Sequence, residues 1–153
     1  MSRIREYAPI VGEEVIDQLF KIAEKLEGKR IININSTAVG GGVAEILSRM
    51  IPLLNELGVD ATWEVIKGTD EFFNITKTMH NALHGVNVSV TEEQLEYFLE
   101  INRQNAKNIN LDGDVMFVHD PQPIALVEKR SQFNNKWLWR CHIDVSRPQE
   151  WAW

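Results

Sequence analysis

Apolar positions recur every three to four residues along extended stretches of the chain, and shorter apolar blocks separate those stretches, which is the pattern of helices alternating with strands. Between Glu13 and Leu26, the residues Val15, Ile16, Leu19, Phe20, Ile22, Ala23 and Leu26 fall at helical spacing, and Gly28 supplies the stop. Between Val43 and Leu57 the same spacing links Val43, Ile46, Leu47, Met50, Leu53, Leu54 and Leu57, with Gly58 as the stop. Arg30 opens a strand that ends in Asn35-Ser36-Thr37 and runs into the turn Gly40-Gly41-Gly42, and Ala61 to Ile66 makes the next strand. Strand, glycine turn, helix and strand predict a parallel βαβ unit.

The pattern continues beyond Lys67-Gly68. A helical region over Asp70 to Leu83 closes at His84-Gly85, and Thr91-Glu92-Glu93-Gln94 opens another helix with a capping box, running to about Asn108. Val115 to Val118 is a short apolar run typical of a buried parallel strand, Pro121 and Pro123 mark a loop before Ile124 to Lys129, and Trp137 to Cys141 predicts the last strand. With no internal repeat and no linker-like segment, the 153 residues predict one α/β domain over 1–153, a Rossmann-like, mostly parallel sheet with helices on both faces.

Composition narrows the classes of function. A net charge of -6 leaves no concentrated basic face for a phosphate backbone, so no nucleic-acid partner is expected. Apolar runs fall short of the roughly 20 residues that span a bilayer and no leader-like segment follows Met1, so a cytoplasmic protein without membrane contact is expected. A single cysteine, Cys141, agrees with a reducing compartment and reads as a small core residue of the last strand.

Candidate chemistry collects at strand ends. In open parallel sheets ligands bind outside the carboxyl ends of the strands. Those ends carry Gly40, Gly41 and Gly42 after the first strand, Lys67 after the second, His119-Asp120 after the third and His142-Ile143-Asp144 after the last. Consecutive glycines before a helix let backbone N–H groups approach an anion, although a tight turn without a ligand has the same composition. The spacing matches neither a dinucleotide fingerprint nor a nucleotide-triphosphate loop. His119-Asp120 with His142 and Asp144 also suit a divalent ion by chemistry alone, but no metal and no cofactor are expected. His80 and His84 copy a zinc-helix spacing, yet Asn81 stands where a metalloprotease needs its glutamate, so they read as helix-surface residues.

Longer motifs are more specific than their physics. Asn35-Ser36-Thr37, Gly40 to Leu47, Trp63 to Gly68, His80-Asn81-Ala82-Leu83, His119-Asp120-Pro121-Gln122-Pro123 and Trp139 to Asp144 resemble the N-terminal half of the trehalose glycosyltransferring synthases. The resemblance covers essentially the whole chain. It implies the N-terminal, acceptor-side domain of a retaining glycosyltransferase of GT-B type, whose substrates are a nucleotide-diphosphate glucose and glucose. By the same resemblance, Gly40, Gly41 and Gly42 lie against the donor's diphosphate or sugar, His119 stands at the reacting centre, and Asp120, His142 and Asp144 bind acceptor hydroxyls. The family's second, donor-binding domain has no counterpart in residues 1–153, so the expectation is a half-site with little activity of its own. Trp137, Trp139, Trp151 and Trp153 add the alternative of an interaction module that forms a homodimer or docks onto a separate C-terminal domain.

Overall fold

The computed structural model describes residues 3–153. Four strands, β1 (Arg30–Asn35), β2 (Asp60–Val65), β3 (Val115–His119) and β4 (Lys136–Arg140), form a sheet in the order β2-β1-β3-β4, and each neighbouring pair is parallel. The α/β expectation is met, and the mostly parallel sheet is an all-parallel one. Each strand therefore delivers its carboxyl end to the same edge.

Helix α1 (Ala8–Val11) and the 3₁₀ turn Ile4–Tyr7 before it had no counterpart in the periodicity, since one turn of helix is too short to show a repeat. Helix α2 (Glu13–Ala23) buries Ile16 and Ala23 and tightens into a 3₁₀ turn over Glu24–Leu26, so the last predicted turn is present but not α-helical. Helix α3 (Gly42–Glu56) buries Ala44 and Leu47, and Asn55 ties its end to β2 through both the amide and the carbonyl of Ala61. Thr69 caps α4 (Asp70–Leu83) by accepting from the Phe72 amide at 3.1 Å. The predicted capping box opens α5 (Glu92–Asn105), with Gln94 and Thr91 exchanging two hydrogen bonds. Ile124–Gln132 is a long 3₁₀ segment.

The chain leaves β1 through α3 to reach β2 on one side, then returns through α4 and α5 to β3 on the other. Sheet growth thus reverses between β1 and β3, the place where open α/β sheets form a ligand crevice. Ile32 and Ile34 of β1 with Met116 and Val118 of β3 pack on Phe72, Ile75, Phe98 and Ile101, so α4 and α5 cover one face. The other face places Ala61 and Ile31 against Ala23, Ile51 and Leu54 of α2 and α3. At the carboxyl end of that second face, period-two alternation puts Asn33 and Asn35 where the apolar positions stop.

Strand β4 ends at Arg140, one residue before its predicted end. Cys141 therefore lies past the strand and is half-buried, with its Sγ 3.9 Å from the Ile143 carbonyl oxygen, rather than inside the core. The physical reason is position: β4 pairs only with β3, and as an edge strand it leaves Leu138 and Trp139 exposed. Beyond it the chain folds back over the end of α4 and the loop after it, where the Gln149 amide donates to the Ala82 carbonyl at 2.9 Å and Trp151 Nε1 to the Val88 carbonyl at 2.9 Å.

Candidate functional site

The β1 strand reads Ile-Ile-Asn-Ile-Asn after Arg30, an alternation that ordinarily turns asparagines to water. Here Asn33 and Asn35 are buried, at 0% and 2% exposure. A buried amide needs partners or costs about 1–3 kcal/mol, and both have them. Asn35 donates to the Thr37 carbonyl at 2.8 Å and accepts from Trp63 Nε1 at 2.7 Å, which fixes the start of the glycine loop. Thr37 continues it, donating to the Val39 carbonyl at 2.6 Å.

Gly40 and Gly41 follow with φ of 73° and 81°, a left-handed conformation that side-chain-bearing residues rarely adopt. A Cβ on any of the three glycines would meet nothing within 4 Å, so backbone conformation, not crowding within the chain, requires glycine at 40 and 41. No side chain caps α3, and its first-turn N–H groups open onto a concavity of about 540 Å³ lined by residues 38–42, Ala44, Glu45 and Ser48. Oriented amides favour an anion there, whereas Glu45 disfavours one close to its carboxylate.

Across the switch point, β3 ends in His119, which is 1% exposed, stacks on Phe117 at a centroid distance of 4.6 Å and meets His142 edge to edge. Its Nε2 lies 3.1 Å from Asn33 Oδ1 and its Nδ1 lies 3.0 Å from His142 Nε2. Burial, with His142 and Arg140 adding positive charge nearby, pushes the His119 pKa down to about 4, so the ring is neutral at physiological pH.

Asp120 adopts φ of 63°, the only non-glycine with positive φ among the described residues. Aspartate tolerates this region better than most residues, and the surroundings hold it there. Its amide donates to the Arg140 carbonyl, its carbonyl accepts from Trp139 Nε1 at 2.9 Å, and its Oδ1 accepts from the His142 amide at 2.7 Å. The kink after β3 thereby fastens the segment after β4.

His119, Asp120 and His142 thus form one bonded cluster, with Gly40–Gly42 on the loop of the neighbouring strand. The other two predicted residues stand apart. Asp144 Oδ1 accepts from the amide and hydroxyl of Ser146 at 2.9 and 2.5 Å, and those bonds, with His84 nearby, hold its carboxyl below the usual range. Lys67 is exposed after β2, and its backbone is clamped by buried Asn105, which accepts from the Lys67 amide at 2.6 Å and donates to its carbonyl at 2.7 Å. Asn105→Ala strands both backbone groups and is expected to cost about 2 kcal/mol in urea unfolding. An unchanged midpoint would show that solvent replaces the clamp.

Asn33 was not among the sequence candidates, and Asn35 and Trp63 stood there only within motifs, with no role assigned. The signal that could have found them is the polar half of the β1 alternation. Among the described residues, no three His, Cys, Asp or Glu side chains converge on a common ion site, and no helix is long and apolar enough to cross a membrane.

An all-parallel sheet with helices on both faces, and a buried polar cluster at the carboxyl ends of β1 and β3, where sheet growth reverses, define a Rossmann-like domain. Comparison with known proteins specifies which. Residues 33–153 match the family model described as "Trehalose synthase, N-terminal domain". The chain is 48% identical over 153 residues to the trehalose synthase of Pyrococcus horikoshii, covering 99% of this chain and 37% of that protein. It is 41% identical to the trehalose synthase of Rubrobacter xylanophilus, over 95% of this chain and 36% of the relative. A third relative, the trehalose phosphorylase of Grifola frondosa, is 30% identical over 98% of this chain and 24% of its own length. The chain belongs to the trehalose synthase N-terminal domain family and spans little more than a third of the synthases it matches.

Proposed function

We propose that this chain forms the acceptor-side wall of a retaining glycosyltransferase site of GT-B type, which transfers glucose from a nucleotide-diphosphate glucose to glucose to give trehalose. The observation that carries this reading is that one and the same region, almost the whole chain, matches both trehalose synthases and a trehalose phosphorylase. Trehalose is the word those names share, so the common region fits the side of the site that handles the sugar. The strand-end geometry supports it: the unfilled amides of α3 suit the charged part of a donor, and His142, held by the buried Asn33 and His119, suits a hydroxyl group.

In this reading the chain alone has little or no transferase activity, because the remaining length of the relatives supplies the opposite wall. The half-buried single cysteine agrees with a cytoplasmic setting. Calorimetric titration of the purified chain is expected to show binding of glucose or trehalose, and incubation with nucleotide-diphosphate glucose and glucose to show no trehalose. Trehalose production would sink the half-site reading, and a flat titration with both sugars would sink the acceptor-side assignment.

A second reading is favoured by one observation. Trp151 and Trp153 are 44% and 72% exposed, beside an apolar cavity of about 290 Å³ lined by Met79, Leu83, Phe98, Ile124 and Trp139. Such a patch fits a module that binds a second copy or a separate C-terminal domain.

A further inference from the structure

His119 and His142 meet through one nitrogen each, and that contact has only one consistent proton arrangement. Asn33 donates its amide toward the Thr62 carbonyl at 3.4 Å, so its Oδ1 is the atom turned to His119. An amide oxygen only accepts, so His119 Nε2 carries the hydrogen. A neutral His119 then has a bare Nδ1, which accepts, and His142 Nε2 must be the donor at 3.0 Å. His142 is left with Nδ1, which has no hydrogen-bond partner among the described residues, on a half-buried ring.

We propose that Asn33, His119 and His142 form a positioning chain in which Asn33 sets the His119 tautomer, His119 sets the His142 tautomer, and His142 offers its Nδ1 lone pair to a sugar hydroxyl. This rests on the sugar-binding reading above, names Nδ1 as the atom through which His142 takes a hydroxyl, and leaves no such contact to His119, whose two nitrogens are already engaged. Three observations hold the ring in place: the His119 bond, the His142 amide bonded to Asp120 Oδ1, and the Asp120 kink that brings that carboxylate there. An acceptor locked before the ligand arrives needs no reorganisation when a hydroxyl proton is to be oriented. The charged or titratable groups acting on His119 are His142 and Arg140, and the Asp120 Oδ1 is occupied by the His142 amide.

The test is two-bond ¹H–¹⁵N correlation of imidazole-labelled protein, whose four histidines give a tractable spectrum. His119 is expected as a single neutral Nε2–H tautomer that persists below pH 5, and neutral His142 as Nε2–H as well. Asn33→Asp places a carboxylate on His119 Nε2–H and is expected to raise the His119 midpoint from about 4 by more than one pH unit. Asn33→Leu removes the acceptor and is expected to mix the tautomers of both rings. Saturating glucose is expected to shift His142 Nδ1.

An Nδ1–H tautomer at His119 in the wild-type protein overturns the chain, whether or not the variants fold. Glucose that shifts the glycine-loop amides but not His142 overturns the ligand contact while leaving the proposed function standing. Locked tautomers with no glucose response at any site instead refute the sugar reading, and with it the hydroxyl contact at His142.

Discussion

Phe72→Ala is expected to lower the unfolding free energy by about 3–5 kcal/mol, the range for emptying a fully buried phenylalanine site. Phe72 is 0% exposed and lies in the first turn of α4, beneath the sheet face formed by Ile32, Ile34, Met116 and Val118. Its ring stacks on Phe98 of α5 at 5.8 Å and 4°, and meets Phe73 edge-on at 5.3 Å and 73°. Three elements therefore share the cavity that alanine would leave, and none can close it without moving another. Gly68 confirms how tightly the ring is enclosed, since a Cβ there would come within 2.4 Å of Phe72 Cδ1. In thermal unfolding the midpoint should fall by roughly 10 °C. Phe73→Ala, one position on and 37% exposed, is the control and should cost well under half as much. Equal effects would mean that the aromatic pair, not the buried ring, holds α4 to the sheet.

The helices and strands were legible in the sequence because their signal is local. Spacing within one segment defined α2, α3 and the strands beside them, and the stops at Gly28 and Gly58 coincide with positive φ, at 71° and 85°. The capping box at Thr91 was legible for the same reason. The site was only half legible. Strand ends and the glycine run are local, and the shared edge follows from parallel strands. The partners are not local: His119 meets Asn33 across 86 positions and His142 across 23. Nothing in Ile-Asn-Ile-Asn distinguishes asparagines that face water from asparagines that meet a buried histidine or an indole, as Asn33 and Asn35 do. Asp120 is a sharper case, because a residue before proline favours extended backbone, yet Asp120 before Pro121 has φ of 63°. Its three tertiary hydrogen bonds override the local preference, and that override aims the segment carrying His142.

The His119 cluster also fixes how stability should change with pH. In the unfolded chain this histidine titrates near 6.5, and in the folded one near 4. Above pH 6.5 both forms are neutral and the full contribution of the site is present. Between 6.5 and 4 the unfolded chain binds a proton that the folded chain refuses, so stability falls as pH falls. Below 4 both forms are protonated and the slope from this group vanishes. At about 1.36 kcal/mol per unit, the difference between 6.5 and about 4 corresponds to roughly 3 kcal/mol. Asp114 and Asp144, whose carboxyls are held below 3.8 by their hydrogen bonds, contribute stability that is lost only as pH falls through those lower values. The two windows therefore separate. Urea unfolding at half-unit steps from pH 7.5 to 4 should show the wild-type protein losing roughly 3 kcal/mol more than His119→Gln. Parallel curves for the two proteins would show that the ring accepts a proton in place, against the opposition of burial and of the positive charge of His142 and Arg140.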